Sequence, residues 1–280
     1  MVPTRSALRR RGFASLVLAA VLGAAIAAPG GAVATTTTVD DATLTASEIA
    51  MVSALNADRA AVGLVAVRTD PRLMAIARAR SNDMVANAYF GHVQPDGRNV
   101  FDILTAQHVA WYNAGEIIAW NNYPMDSSGS AANRQWLGSP GHYAIITSSG
   151  FNYVGVGLAI DPATGKKFWT GVFIKGPDRT AAHVTAYTPK IQAGTTAGTR
   201  TMRWSWSGFD VRLQVLTSGL RSYAIQRRVD GGSWTTPISS TTLKAANFTL
   251  RLGHRYEFRV IARDRAGNVG TWATKVVNLR

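Results

Sequence analysis

The 280-residue chain contains no cysteine, which excludes disulfide staples, thiolate zinc sites and cysteine nucleophiles together. Its folds must hold by core packing alone. Histidine is scarce too: any imidazole site must draw on positions 92, 108, 142, 183 and 254. No H-E-x-x-H, no P-loop and no G-x-G-x-x-G opening a helix occurs. "LGSPG" is not a nucleophile elbow, because Ser139 follows Gly138 directly. Acidic residues thin out along the chain. Thr35 to Tyr187 carries 11 Lys+Arg against 12 Asp+Glu, a net of −1, whereas Thr188 to Arg280 carries 15 against 4, a net of +11.

No apolar run is long enough to span a bilayer. The longest, Phe13 to Ala28, follows Arg5, Arg9, Arg10 and Arg11, is stopped by Pro29, and falls short of the roughly 20 residues a membrane helix needs. With "AVA" after it, residues 1–34 read as a secretory signal peptide cleaved after Ala34, an uncleaved anchor being the alternative. Ordinary Sec export is expected, and "RRGF" at 10–13 leaves the twin-arginine route open. The remaining 35–280 suit two modest cores and hence two domains.

The first core reads as helices followed by strands. "TASE" at 45–48 fits a capping box opening a helix that runs to Gly63. Asp70 and Pro71 supply an N-cap and first-turn proline for a second helix. Shorter helices are expected over "NVFDILTAQ" and "SGSAANRQWL", up to the break at Gly138 and Pro140. "YVGVGLAI" and "KFWTGVFIK", separated by "DPATGK", read as a hairpin. This is an α+β pattern with helices covering a small antiparallel sheet. From Asp178 the periodicity is lost and Thr, Gly and Ala gather, so 179–195 reads as a linker. In 196–280, the Asp-Gly-Gly turn of "RSYAIQRRVDGGSW" and the alternation of Tyr256, Phe258, Val260 and Ala262 with Glu257, Arg259 and Arg263 read as a β-sandwich with one charged face.

Three histidines are set aside. His183 lies in the linker stretch, His254 in a turn, and His108 at a helix end, where a cation suits the dipole. His92 and His142 both sit among Gly, Pro and Asp or Ser in loop-like frames. Glu116 lies between them in sequence, ahead of an apolar run, where a charge needs a partner. Either these three converge on a cavity suited to a divalent metal or a hydrogen-bonded cluster, or both histidines brace loops. Spacings of 24 and 26 residues form no recognised metal motif.

Taken in order, "LNADRAAVGL", "DPRLMAIARARSNDM", "FGHVQPDGRN", "AGEIIA", "WLGSPGHY" and "FNYVGVGLA" resemble the CAP superfamily, the SCP-like secreted domains of bacteria, over about residues 43–175. The resemblance implies a three-layer α-β-α sandwich for 35–178. It also implies a central cavity in which His92, Glu116 and His142 hold zinc or another divalent ion, and secretion to the cell envelope. Some relatives bind lipids, so a lipid or other small apolar ligand is an implied partner. This sequence departs from the pattern in three places. The second cavity carboxylate falls near Ser139, the Asn after the glutamate is Ile117, and "GHR" is "GHY". With fewer anionic ligands the ion should bind weakly, in an open site.

The C-terminal part resembles fibronectin type III-like modules, an all-β immunoglobulin-like sandwich. Its Arg227, Arg228, Arg259, Arg263 and Arg265 are expected to form a solvent-facing patch for an anionic wall polymer rather than nucleic acid. A binding protein is the leading expectation. A metal-dependent hydrolase with Glu116 as general base, or an adhesion protein led by the basic module, are the alternatives.

Overall fold

A computed structural model describes residues 41–280, with side chains from Leu44 onward; the expected signal peptide lies outside the described residues. They form a mixed α+β fold with three β-sheets. In chain order the first part contains α1 (Asp41–Ala61), β1 (Arg68–Thr69), α2 (Pro71–Ala86), α3 (Val100–Ala106) and β2 (Asn113–Asn121). It continues with α4 (Met125–Leu137), α5 (Pro140–Ile146), β3 (Tyr153–Ile160) and β4 (Lys167–Lys175). These strands make one sheet in the order β1-β3-β4-β2, antiparallel except for the β1-β3 pair.

Helices lie against both faces of this sheet. Val154, Val156 and Leu158 of β3 share a core with Met51, Val52 and Leu55 of α1 and Trp136 of α4. On the other face Tyr153, Val172 and Ile174 pack with Leu73, Ile76 and Ala77 of α2 and Leu104 of α3. Gly155 and Gly157 let the α2 backbone approach very closely: a Cβ at those positions would stand 2.0 Å from the Leu73 carbonyl carbon and 2.1 Å from the Arg78 nitrogen. The expected hairpin is β3 and β4, paired Tyr153 to Ile174 through Ile160 to Lys167.

Local signals placed α2 well, with Asp70 Oδ1 accepting the Arg72 amide at 3.0 Å ahead of Pro71. The start of α1 differs from expectation. Thr45 and Glu48 lie inside the helix, not at its cap. Glu48 is fully buried, accepts the Leu158 amide at 3.0 Å and pairs with the Arg78 guanidinium. Its carboxylate ties α1 to β3 and α2, a tertiary role that the capping-box spacing concealed. Gly63, at φ 78°, does stop the helix, as Leu64 N donates to Arg59 O at 3.0 Å.

The second part contains β5 (His183–Ala186), β6 (Lys190–Ala193), β7 (Thr199–Phe209), β8 (Leu220–Val229) and β9 (Thr235–Thr241). β10 (Ala245–Arg251), β11 (Arg255–Asp264) and β12 (Ala273–Asn278) complete it. One sheet runs β10-β7-β5 with β6 also on β7, and the other runs β12-β11-β8-β9. Met202, Trp204 and Trp206 meet Tyr223, Ile225, Phe258 and Val260 in a shared core. The stretch 179–195, expected as a linker, instead contributes β5 and β6. Their hydrogen bonds come from β7, so nothing in their own composition announced them.

The loop between β7 and β8 reaches back into the first part. Leu213 is buried with Leu73, Ile76 and Leu104. Gln214 Oε1 accepts the Val65 amide at 2.6 Å, and Val215 O accepts Asn152 Nδ2 at 3.1 Å.

Candidate functional site

Glu116 occupies β2, where its side chain is almost entirely buried. Both of its carboxylate oxygens are engaged. Oε2 lies 2.8 Å from His92 Nδ1, and Oε1 accepts Arg80 Nε at 2.9 Å. Arg80 projects from α2 and is fully buried. Its remaining donors reach Tyr89 Oη at 2.6 Å and the carbonyls of Gly91 and His92 at 2.9 and 3.3 Å. One guanidinium therefore pins both the glutamate and the loop that carries His92. Burial lowers the affinity of Arg80 for its proton, but the hydrogen bond and charge of Glu116 outweigh it and the pKa is raised. Tyr89 in turn donates to Asp83, and burial together with that bond pushes its hydroxyl up to about 12.

The His142 ring stands edge-on to that of His92, with centroids 6.1 Å apart. Its position corrects the loop reading, because Ser139 and Pro140 open α5 and put His142 in that helix's first turn. Burial, and then the neighbouring His92, lower its pKa, so the imidazole stays neutral further into the acid range.

The structure thus brings His92, Glu116 and His142 together, but not as three equivalent ligands. Among the described residues, the three side chains that bring ligand atoms within 4.8 Å of one another are Asp178, Asp210 and Asp264, at the junction of the two parts. His142 opens on a groove of about 500 Å³, whose walls include Phe90, Trp120, Tyr123 and Gln135. Those three aromatic residues are exposed.

Sequence reasoning missed Arg80. Its signal was nonetheless present: Arg80 shares a helical stripe with Ala77 and Met84, at i−3 and i+4, and a charge on an apolar stripe requires a buried partner.

Residues 52–173 match CAP, the cysteine-rich secretory protein family. That stretch resembles a CAP domain. Among curated proteins it is 34% identical over 131 residues to the Bacillus subtilis membrane protein YlbC, covering 47% of this chain and 35% of that one. With YkwD of the same organism it is 32% identical over 139 residues, covering 50% and 51%. The chain thus spans about a third and about half of these relatives. An extracellular SCP-domain protein of Bacillus anthracis is 30% identical, at a TM-score of 0.42, over 47% of this chain and 41% of its own. A cysteine-rich secretory protein of Staphylococcus aureus is 15% identical, at a TM-score of 0.39, over 47% and 38%.

The five arginines expected to form one anionic-polymer patch are not equivalent. Arg227 stands opposite Phe258, on the core side of its sheet, and its Nε is buried without a hydrogen-bond partner. Arg228 pairs with Glu257 at 2.7 Å. Arg259 lies between Trp234 and Trp272, 4.0 and 4.4 Å from their ring centroids, and bonds Gln226 Oε1. Arg263 and Arg265 are exposed. The expected outward patch therefore fails at Arg227, and alternation did not reveal that Arg228 and Arg259 are already engaged.

Proposed function

We propose that this is a secreted, envelope-acting CAP-domain protein that binds a small apolar ligand beside a weak divalent-metal site, with no hydrolytic step of its own. The described residues up to Asp178 form the α-β-α layers of the family in this reading. The strands from His183 onward form a fibronectin type III-like module. Among the described residues no helix is long and apolar enough to cross a membrane, and export rests on the signal peptide read from residues 1–34.

The observation that carries the reading is the Glu116 contact to His92 Nδ1 at 2.8 Å, next to the aromatic groove. A carboxylate on one ring nitrogen orients the imidazole and leaves Nε2 as the donor, the usual outer-shell arrangement of a metal-binding histidine. His142 supplies the second nitrogen, neutral at physiological pH. The donor set fits zinc, with Glu116 as orienting group rather than ligand. A zinc ion held there would supply Lewis acidity with open positions for water or a ligand oxygen. Arg80 holds Glu116, Glu116 holds His92, and the groove excludes water from an apolar chain lying along Phe90 and Trp120.

The hydrolase alternative needs Glu116 as a general base. Its two oxygens are committed to Arg80 and His92, so binding is favoured over hydrolysis.

Quenching of Trp120 fluorescence by long-chain fatty acids and sterols, with and without zinc, tests the reading. Saturable quenching that is lost in Trp120→Ala and weakened in His142→Ala is expected. Turnover of an ester or wall fragment that is abolished by chelator would replace this reading with the hydrolase.

A further inference from the structure

The residues of β7 alternate. Met202, Trp204 and Trp206 enter the core, so Arg203, Ser205 and Ser207 face outward. Arg203 stands directly opposite Lys190 of β6 on one side and Asn247 of β10 on the other. Side chains so opposed have Cβ atoms about 5 Å apart, and like charges there destabilise the pair. Among the described residues, neither Lys190, Arg203 nor the nearby Lys244 forms a salt bridge. The four acidic residues beyond Thr188 are occupied elsewhere. Asp230 and Glu257 pair with His254, Arg228, Arg255 and Arg280, and Asp210 and Asp264 lie together near Asp178.

An open groove of about 620 Å³ runs over this face, with Tyr187, Arg203, Ser205, Ser207, Leu243 and Lys244 among its walls. Tyr187 is 48% exposed, and its hydroxyl is 2.8 Å from Ser207 Oγ, which fixes the ring at the edge of the groove. The face thus combines unneutralised cations, hydroxyl and amide groups, and one exposed aromatic ring.

We propose that this face is a binding site for an anionic polymer of hydroxylated units. An acidic group would lie between Lys190, Arg203 and Lys244, and the carbon face of a sugar or polyol would lie on Tyr187. The bound anion relieves the repulsion that the strand register imposes on Lys190 and Arg203. Ser205, Ser207 and Asn247 offer hydrogen bonds to the hydroxyls. The site lies on the sheet of β7, not on the β8-β11 sheet where Arg228 and Arg259 are already engaged. It is independent of the reading of the CAP domain.

Uronate polysaccharides and polyol phosphates share this chemistry, so both are used as probes of the full chain by titration calorimetry at low salt. Neutral dextran and a single-stranded oligonucleotide serve as comparisons. At least one acidic polymer should bind, and binding should weaken as salt is raised. The Lys190→Gln/Arg203→Gln variant should lose affinity by about tenfold or more and melt no lower than wild type, since a repulsive pair is removed. Tyr187→Ala should weaken binding, whereas Arg263→Gln should retain it. If the double variant does not fold, Lys190→Gln alone, on a short edge strand, carries the same comparison. Absence of binding to either acidic polymer overturns the proposal. So does equal binding of dextran, tighter binding of the oligonucleotide, or as large a loss from Arg263→Gln.

Discussion

Arg80 Nε lies 2.9 Å from Glu116 Oε1, and both side chains are almost wholly closed to solvent. An ion pair in such surroundings is costly to break from one side, because the survivor is left as an uncompensated buried charge. Arg80→Met should therefore destabilise the protein by about 3–5 kcal/mol. Denaturant unfolding measures this, and a loss indistinguishable from that of an exposed arginine would show that the pair carries no structural load. Joint replacement of Arg80 by Met and Glu116 by Gln should recover part of the loss, since no lone charge remains.

Zinc should raise the melting temperature of the wild type at pH 7.5 and do so less at pH 5.5, because the imidazoles must be neutral to ligate. The lowered pKa of His142, caused by burial and then by His92, means that its own protonation opposes folding. That stability is present above the unfolded value of about 6.5 and is lost as pH falls towards the folded pKa. Thermal melts of wild type and His142→Ala, with and without zinc, separate the two effects. An equal zinc shift in both proteins would place the ion elsewhere.

Asp210 should be a stability liability at neutral pH. Burial raises its pKa, and the nearby charges of Asp178 and Asp264 act in the same direction. Its Oδ1 is buried with no hydrogen-bond partner. A raised carboxyl pKa means the fold favours the protonated form, so this contribution is present below the unfolded pKa of about 3.9 and is lost as pH rises through the folded value. Asp210→Asn should raise the melting temperature by a few degrees at pH 7, with the gain disappearing near pH 3. A lower melting temperature at pH 7 would refute the repulsion account.

Arg259 should contribute to stability in a way that the outward-facing Arg263 does not. Its guanidinium is held between Trp234 and Trp272 and bonded to Gln226, and a cation over a ring is worth about 0.5–2 kcal/mol. Arg259→Gln should lower the melting point measurably while Arg263→Gln leaves it nearly unchanged. Equal shifts would mean the ring contacts add nothing beyond exposed charge.

Gly157→Ala should cripple the first part of the molecule. The added Cβ would meet the Arg78 amide nitrogen at 2.1 Å, and a main-chain atom in a helix cannot swing aside as a side chain does. The loss should exceed the roughly 1–3 kcal/mol of ordinary overpacking, and soluble yield together with the unfolding midpoint reports it. A variant as stable as wild type would show that α2 can shift from the sheet.

Features set by short-range physics were legible from residue order. Asp70-Pro71 and Gly63 marked helix ends because capping and left-handed backbone depend on the residue at that place and its immediate neighbours. The turn composition of "DPATGK" announced the hairpin, and motif order singled out His92, Glu116 and His142. Pairings over long separations were not legible. Arg80 and Glu116 are 36 residues apart, and only the packing of α2 on the sheet makes them neighbours. Glu48 looked like a cap because the same Thr-x-x-Glu spacing serves a helix start or a buried tie to Arg78. The linker became strands because an edge strand takes its hydrogen bonds from a partner, here β7. Alternation turned Arg259 and Arg263 outward, but Arg227 stands on the core face opposite Phe258, and the engagement of Arg259 depended on Trp234 and Trp272, brought alongside only by the folded sheet. Local propensity encodes period and caps; burial and the matching of charge across distant segments arise when the chain has closed on itself.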